Sequence, residues 1–278
     1  MLNLLKTEWL KIKKYPAFWV VMSITALSYP GINTIFYNIY KEFIAKPNAA
    51  GQMANALLGN PFSLPEVWRT TAYASSMFVF IPAIVVIMLI SNEYTFKTTR
   101  QNIIDGWSRK QFMFGKLLDV IIITIVVTLL YAATAFIIGI YNTTDPNANK
   151  WGLFYYVGLF ALQTFAQLTF AFLIGLIVRK AFIGLGIFIF YFLIAENMLV
   201  AFLGQSSYVR GTAFEGQGKW LPLELSDRII PPPYFVNNVD PKKYQGYLDS
   251  VGPHVIYTII LIVLLWLLNF WIFKKRDL

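Results

Sequence analysis

The sequence predicts an all-α integral membrane protein with six transmembrane helices, and three observations support this fold class. Only 13% of the 278 residues are charged, whereas a soluble domain of this length carries roughly 25%. Hydrophobic residues make up 57% of the chain. Six apolar runs each hold about 20 residues, the length that a helix needs to cross a bilayer. Lipid is therefore expected to cover much of the surface, and with no internal repeat the chain is interpreted as one domain, residues 1–278.

The predicted transmembrane segments differ in polarity and in their connections. The first is the most polar, and the Pro30-Gly31 pair is expected to bend it. Only Arg179 and Lys180 join the fourth segment to the fifth, which predicts a tight helical hairpin. A large outer loop, residues 204–253, precedes the sixth segment. The six segments are Phe18–Tyr37, Ala72–Ile90, Leu117–Tyr141, Leu153–Val178, Ala181–Leu203 and His254–Phe273.

The basic residues indicate which ends of the chain face the cytoplasm. The net charge is +9, and most of the 23 Lys and Arg residues flank predicted segments on one side of the membrane. Short cytoplasmic loops of membrane proteins carry such an excess of basic residues. An even number of spans places both termini on that side, so both are predicted to be cytoplasmic. The residues are Lys6, Lys11, Lys13, Lys14, Lys97, Arg100, Arg109, Lys110, Lys116, Arg179, Lys180, Lys274, Lys275 and Arg276.

Residues 1–16 are predicted to form a helix that lies in the membrane interface before the first span. Apolar residues recur there at helical spacing and basic residues accompany them, as an interfacial helix requires. A basic flank that only fixes the topology would explain the same composition. The apolar arc consists of Leu2, Leu5, Trp9 and Ile12.

The cytoplasmic loop between the second and third segments, residues 91–116, is the most informative stretch. A short helix is predicted roughly between Thr98 and Asp105. Gly106 should then break the chain, and Ser108 can cap a helix that begins at Arg109. Such a basic, capped element fits a groove on a soluble partner, although a charged connector that only fixes topology would look the same.

Several function classes are excluded by what the sequence lacks. There is no cysteine and only one histidine, His254, which excludes thiolate and multi-histidine metal sites and a membrane metalloprotease. The motif of a rhomboid-type serine hydrolase is not found. No phosphate-binding P-loop is present, because the run Gly216–Lys219 is too short. The chain is therefore predicted to be no enzyme, to bind no cofactor itself and, with its charges flanking spans, to bind no nucleic acid.

A few polar residues lie at membrane depth, where an unpaired charge is costly. Glu196 and the adjacent Asn197 lie near the outer end of the fifth segment, and Gln163 and Gln167 share one face of the fourth. All four could line a translocation path. Hydrogen bonding between neighbouring helices would equally explain the two glutamines, and a position near the outer interface would explain Glu196. On the fourth segment Ala171 and Gly175 are spaced for close helix packing.

Three stretches resemble the type-2 family of ATP-binding-cassette (ABC) exporter permeases. The loop after the second span resembles the corresponding family loop, Glu8-Trp9-Leu10-Lys11 is similar to the N-terminal family helix, and Leu221–Pro233 resembles the outer loop before the last span. The loop residues that carry the resemblance are Glu93-Tyr94, Thr98-Thr99-Arg100-Gln101, Gly106-Trp107-Ser108-Arg109 and Lys116.

The resemblance implies a bacterial cytoplasmic (inner) membrane protein that pairs with a second copy or a homologous permease. Such a pair lies over a dimer of cytoplasmic ABC ATPase subunits, which bind the ATP and Mg. The loop helix would couple ATP hydrolysis to alternating access and to export of a substrate. An ATPase-coupled role in signalling or assembly is the alternative. The residues that the resemblance assigns to ATPase coupling are Glu93, Thr98, Arg100, Gln101, Arg109 and Lys116.

Overall fold

The computed structural model describes residues 2–46 and 48–275, and these residues contain helices and connecting turns but no strand. The side chains of Leu2 and Leu5 and the residue Arg276, which the sequence analysis used, lie outside the described part. The helices of the N-terminal half are α1 (Leu2–Lys13), α2 (Pro16–Ile44), α3 (Ala49–Leu58), α4 (Val67–Ser76), α5 (Phe80–Thr95), α6 (Thr98–Ile104) and α7 (Arg109–Asn142).

The C-terminal half is also helical, and its fourth and fifth predicted spans correspond closely to α8 and to the continuous helix Ala181–Gln205. A π-helical turn, Tyr191–Ala195, joins α9 to α10 without ending the helix, and a 3-10 turn, Gln217–Trp220, precedes α11. The helices are α8 (Tyr155–Val178), α9 (Ala181–Phe190), α10 (Glu196–Gln205), α11 (Pro222–Asp227), α12 (Phe235–Val239) and α13 (Pro241–Lys275).

Four helices within the described residues are long and apolar enough to cross a membrane: α7, α8, the continuous helix Ala181–Gln205 and α13. The pair α4–α5 would make a fifth span, bent by 49° at the break between the two helices. The sequence analysis treated this second span as one straight segment, Ala72–Ile90. Pro82 explains the break, because its ring clashes with the carbonyl group four residues earlier, at Phe78.

The remaining predicted span corresponds to α2, which continues through Pro30 but is too polar to count among these candidates. Two of its polar residues, Thr25 and Asn33, are buried, and the Asn33 side chain donates hydrogen bonds to the carbonyl oxygen of Tyr29 (2.8 Å) and to the hydroxyl of Ser75 (3.0 Å). Its outward face is mostly apolar, with Leu27 72% exposed, although Ser23 and Thr34 are also exposed. This inside-out distribution suits lipid surroundings.

The last helix begins earlier than predicted. The outer loop was expected to extend to residue 253, but α13 begins at Pro241 and runs through Pro253. Proline is well suited to the first helical position, and the Asp240 carboxylate accepts a hydrogen bond from the backbone N–H of Lys243 (3.0 Å), as an N-cap does. The loop between the fifth and sixth predicted segments is correspondingly shorter.

The centre of the bundle is α8, which packs against α5, α7 and α13 and is the most buried of the candidate spans. Its contact with α5 is close at Gly175, as the sequence predicts. A Cβ atom at this position would overlap the Cγ2 methyl of Ile90 and lie 3.3 Å from the Cα of Ile87. The small residue therefore sets the distance between the two helices.

We expect Gly175→Ala to destabilise the protein by about 1–3 kcal/mol, the usual cost of overpacking a core. Gly158→Ala on the same helix is the matched control, because a Cβ there meets no atom within 4 Å. The control isolates the gain of up to about 1 kcal/mol that alanine brings to a helix. Thermal unfolding of both variants in detergent checks this, and equal melting temperatures would contradict the assigned contact.

Candidate functional site

The inner site begins where α5 ends, at the predicted cytoplasmic loop. Lys97 adopts the left-handed conformation (φ 55°), which turns the chain sharply into the short helix α6. Gly106 (φ 97°) then ends this element, and the side chain and backbone of Ser108 exchange hydrogen bonds with Gln111 in a capping box that starts α7. The predicted short helix, the glycine break and the serine cap are all confirmed.

A buried cluster of ionisable side chains joins α1, α5 and α7 and contacts α6 through Thr98. The Lys116 ammonium, only 3% exposed, forms ion pairs with Glu8, with Glu93 (2.7 Å) and with Asp119 (3.3 Å). Lys11 bridges Glu8 (3.1 Å) and Glu93 (3.0 Å) from the more exposed side. Two cations thus face three carboxylates, and each charge has an oppositely charged partner, as burial requires.

The structure separates the residues predicted to contact an ATPase into three groups. Glu93 and Lys116 lie inside the buried cluster, and the Thr98 hydroxyl donates a hydrogen bond to the Glu93 carboxylate. Arg100 and Gln101 are exposed on α6. Exposed groups can contact a partner surface directly, whereas the buried ones can act only through the helices that they hold together.

Arg109 belongs to neither group. Its guanidinium donates hydrogen bonds to the backbone carbonyl oxygens of Phe273 (3.5 Å) and Lys274, at the C-terminal end of α13. A cation at this position satisfies carbonyl groups that have no partner within the helix and complements the helix dipole. The residue therefore ties the start of α7 to the end of the last helix.

Sequence reasoning did not include three members of the cluster, namely Glu8, Lys11 and Asp119, among the site residues. The helical spacing of α1 could have identified Glu8. Glu8 lies four residues before Ile12 and is buried on the same face of α1, whereas Trp9 is 49% exposed. An acid placed among apolar residues on a helical face needs a buried partner. That the partner is Lys116, 108 residues away, could not be read from local spacing.

Three of the four polar residues predicted to line a translocation path, Gln163, Gln167 and Glu196, contact the short outer-loop helix α11. Gln163 and Gln167 donate hydrogen bonds from their Nε2 atoms to one carboxylate oxygen of Asp227, at 2.5 and 2.6 Å. At the other end of α11, Glu196 Oε1 accepts hydrogen bonds from the backbone N–H groups of residues 223 (2.8 Å) and 224 (2.6 Å). Both ends of α11 are thereby fixed to the membrane helices α8 and α10.

Asn197 lies next to this contact but points away from it. Its side chain is exposed and donates hydrogen bonds at 3.1 Å to the carbonyl oxygens of Phe192 and Leu193 in the preceding π-helical turn. A π turn leaves carbonyl groups without their usual α-helical partners, so the asparagine stabilises the irregularity. The residue also lines the outer cleft described next.

The outer cleft has a volume of about 650 Å³ and opens between α4, α10, α11 and the first turns of α13. Its charged residues include Glu196, Glu224 and Asp227, of which Glu224 forms an ion pair with Arg228 (2.7 Å). Burial raises the pKa of the Asp227 carboxyl to about 7, against the hydrogen bonds from Gln163 and with further help from the charge of Glu224. The cleft is therefore polar and is lined by three carboxyl groups, of which that of Asp227 has a raised pKa.

No group of three or more acidic, histidine or cysteine side chains among the described residues could hold a metal ion. The contacts that define both sites are ion pairs and hydrogen bonds between helices.

The family to which the chain belongs is shown by comparison with known proteins. A family model described as ABC-2 family transporter protein matches residues 4–195, which include α1 and the whole buried cluster but not α11 or α13. No curated protein matches the chain. The matched region exceeds half of the chain, and the family comprises multi-pass membrane permeases of ABC transporters, which lack a nucleotide-binding domain of their own and work with an ABC ATPase. The chain therefore belongs to the ABC-2 family of transporter proteins.

Proposed function

We propose that this chain is the permease subunit of an ABC exporter, in which α6 transmits the ATPase cycle of a separate subunit to the membrane helices. The observation that carries the proposal is the position of α6, which is exposed at Arg100 and Gln101 and is joined through Thr98 to the buried charge cluster. A force that a cytoplasmic partner applies to α6 would reach the ends of α1, α5 and α7 at once.

The cluster supports the mechanical part of the proposal. Because Lys116 holds Glu8 of α1 and Glu93 of α5 against α7, these helices move as one body when α6 is displaced. ATP and Mg bind to the partner, and closure of the ATPase pair shifts α6. Nucleotide can bias the inward-open and outward-open states only by binding them unequally.

We propose the following arrangement in the membrane. The inside-out polarity of α2 supports a sixth span, which places both termini on the cytoplasmic side of a bacterial inner membrane. The helix α1 lies in the interface, with Trp9 and Leu10 exposed to the headgroups and Glu8 turned inward. Two such permeases, identical or homologous, lie over two ATPase subunits.

The outer residues support a role at the exit of the translocation path. Gln163, Gln167 and Glu196 hold α11 between the membrane helices, and Asn197 lines the adjoining cleft. Release of α11 from these contacts would widen the outer end of the bundle. The hydrogen bonds of Gln163, Gln167 and Glu196 to α11 would keep the exit closed. A substrate would pass through the cleft itself.

Co-purification followed by an ATPase assay tests the proposal. We expect the tagged chain, expressed from its native chromosomal locus, to retain an ABC ATPase subunit and to show vanadate-sensitive ATP hydrolysis that increases with a transported substrate. Absence of any ATPase from the purified complex would overturn the proposal. ATPase activity that responds to no transported compound but to a signal or an assembly state would favour the signalling or assembly alternative.

A further inference from the structure

A second cleft, of about 540 Å³, opens on the cytoplasmic side beside α6 and between the ends of α5, α8 and α9. Four basic residues line it: Lys97, Arg100, Arg179 and Lys180. The one carboxylate in its lining, Glu93, is already paired with Lys11 and Lys116 in the buried cluster. Within the described residues, the four cleft cations have no ion-pair partner, so the cleft carries a positive charge that this chain does not neutralise.

The backbone conformation places two of these cations, Lys97 and Arg179, at the ends of neighbouring helices. Lys97 follows α5 and Arg179 ends α8, and they are the non-glycine residues of the described chain that have positive φ, at 55° and 58°. A left-handed residue reverses the chain direction directly after a helix, at a steric cost that glycine would avoid. Two basic side chains are thus fixed where two candidate spans end, and the Arg179 guanidinium packs over the Tyr94 ring (5.1 Å).

The surroundings favour a lipid over a soluble anion. Helices long enough to cross the membrane end at Thr95 and Val178 and begin at Ala181, so the cleft lies at the boundary of the apolar layer. Next to the cleft cations in the chain, Phe96 is 67% exposed and Phe182 is 88% exposed. Aromatic and apolar side chains beside basic ones match the two halves of a phospholipid, with the headgroup in the cleft and the acyl chains along the phenylalanines.

We propose that this basic cleft binds the headgroup of an anionic glycerophospholipid from the cytoplasmic leaflet. Basic pockets between transmembrane helices on this side of a membrane suit such headgroups. The bound lipid would hold α6 against the α8–α9 hairpin and so set the position from which α6 moves. The proposal rests on the cleft geometry and on the membrane orientation given under the proposed function, and not on transport itself.

Lipid titration of the purified full-length chain in a neutral detergent tests the proposal, with native mass spectrometry as the readout. We expect tighter binding of phosphatidylglycerol than of phosphatidylcholine with the same acyl chains. The double variant Lys97→Gln and Lys180→Gln should bind phosphatidylglycerol about thirtyfold more weakly, since each basic residue near an anionic surface contributes about fivefold in affinity. Its binding of phosphatidylcholine should not change.

The matched control removes the same charge elsewhere on the cytoplasmic side. Lys13→Gln combined with Lys14→Gln changes two exposed lysines outside the cleft, and this variant should bind phosphatidylglycerol like the wild type. Equal loss in both double variants, no preference for phosphatidylglycerol in the wild type, or binding of soluble glycerol 3-phosphate as tight as that of the lipid would each overturn the proposal. Unchanged lipid binding with loss of the co-purified ATPase would assign the cleft to a protein interface instead.

Discussion

Replacing Lys116 by glutamine is expected to destabilise the protein by about 3–5 kcal/mol, the cost of removing one partner from a buried ion pair. Lys116 lies between Glu8, Glu93 and Asp119, and all four side chains are almost completely buried. Lys11 alone would then face three carboxylates, and it contacts only two of them. Unfolding in mixed detergent micelles, followed by tryptophan fluorescence, measures the loss.

Lys110→Gln is the matched control for this change, because Lys110 lies on the first turns of the same helix but is exposed. The free energy of unfolding of this control variant should change by less than about 0.5 kcal/mol, as at most surface positions. A double-mutant cycle with Glu8→Gln adds a sharper test: the two substitutions together should cost less than their sum, because they remove opposite members of one pair. Strict additivity, or equal stability of Lys116→Gln and the control, would show that the cluster does not fasten α1 to α7.

Reversing the charge of Arg100 is expected to weaken retention of the ATPase subunit by at least about tenfold, equivalent to about 1.4 kcal/mol. Arg100 is exposed on α6, where a complementary acidic surface would meet it, and like charges placed face to face are strongly unfavourable. The measurement is the amount of ATPase that co-purifies with Arg100→Glu relative to the wild type, together with the melting temperature of the permease alone.

The melting temperature separates docking from folding. Because Arg100 forms no ion pair with a described carboxylate, its replacement should leave the fold of the permease intact. Arg210→Glu, an equal charge reversal at an exposed position in the outer loop, should retain the ATPase fully. Glu93 is unsuitable for the same purpose, since its replacement would disturb the buried cluster and confuse loss of contact with loss of stability.

Local sequence patterns predicted the short helix α6 and the start of α7 well. The apolar run that ends near Ile90, the break at Gly106 and the cap at Ser108 are each encoded within a few residues, and the structure has α6 and the start of α7 where these signals place them. The packing of Gly175 against α5 was also predictable, because small residues four apart on an apolar helix indicate close approach.

Long-range partners could not be predicted from the same signals. The family resemblance assigns Glu93 and Lys116 to a partner surface, whereas the structure buries both against Glu8 and Lys11 of α1, a contact that no local sequence pattern indicates. The same holds for Glu196 and the two glutamines, whose partners belong to an outer-loop helix tens of residues away. The bend at Pro82 was predictable in principle, since proline inside an apolar run indicates a break.

Site-directed cross-linking tests whether α6 touches the ATPase in the assembled transporter. The natural chain contains no cysteine, so Gln101→Cys creates a unique thiol on the exposed face of α6. Labelled with a short photoreactive group in the intact complex, this residue should form an adduct with the ATPase subunit, whereas Ser207→Cys in the outer loop should form none. An active complex in which position 101 reacts only with lipid or detergent would contradict the account.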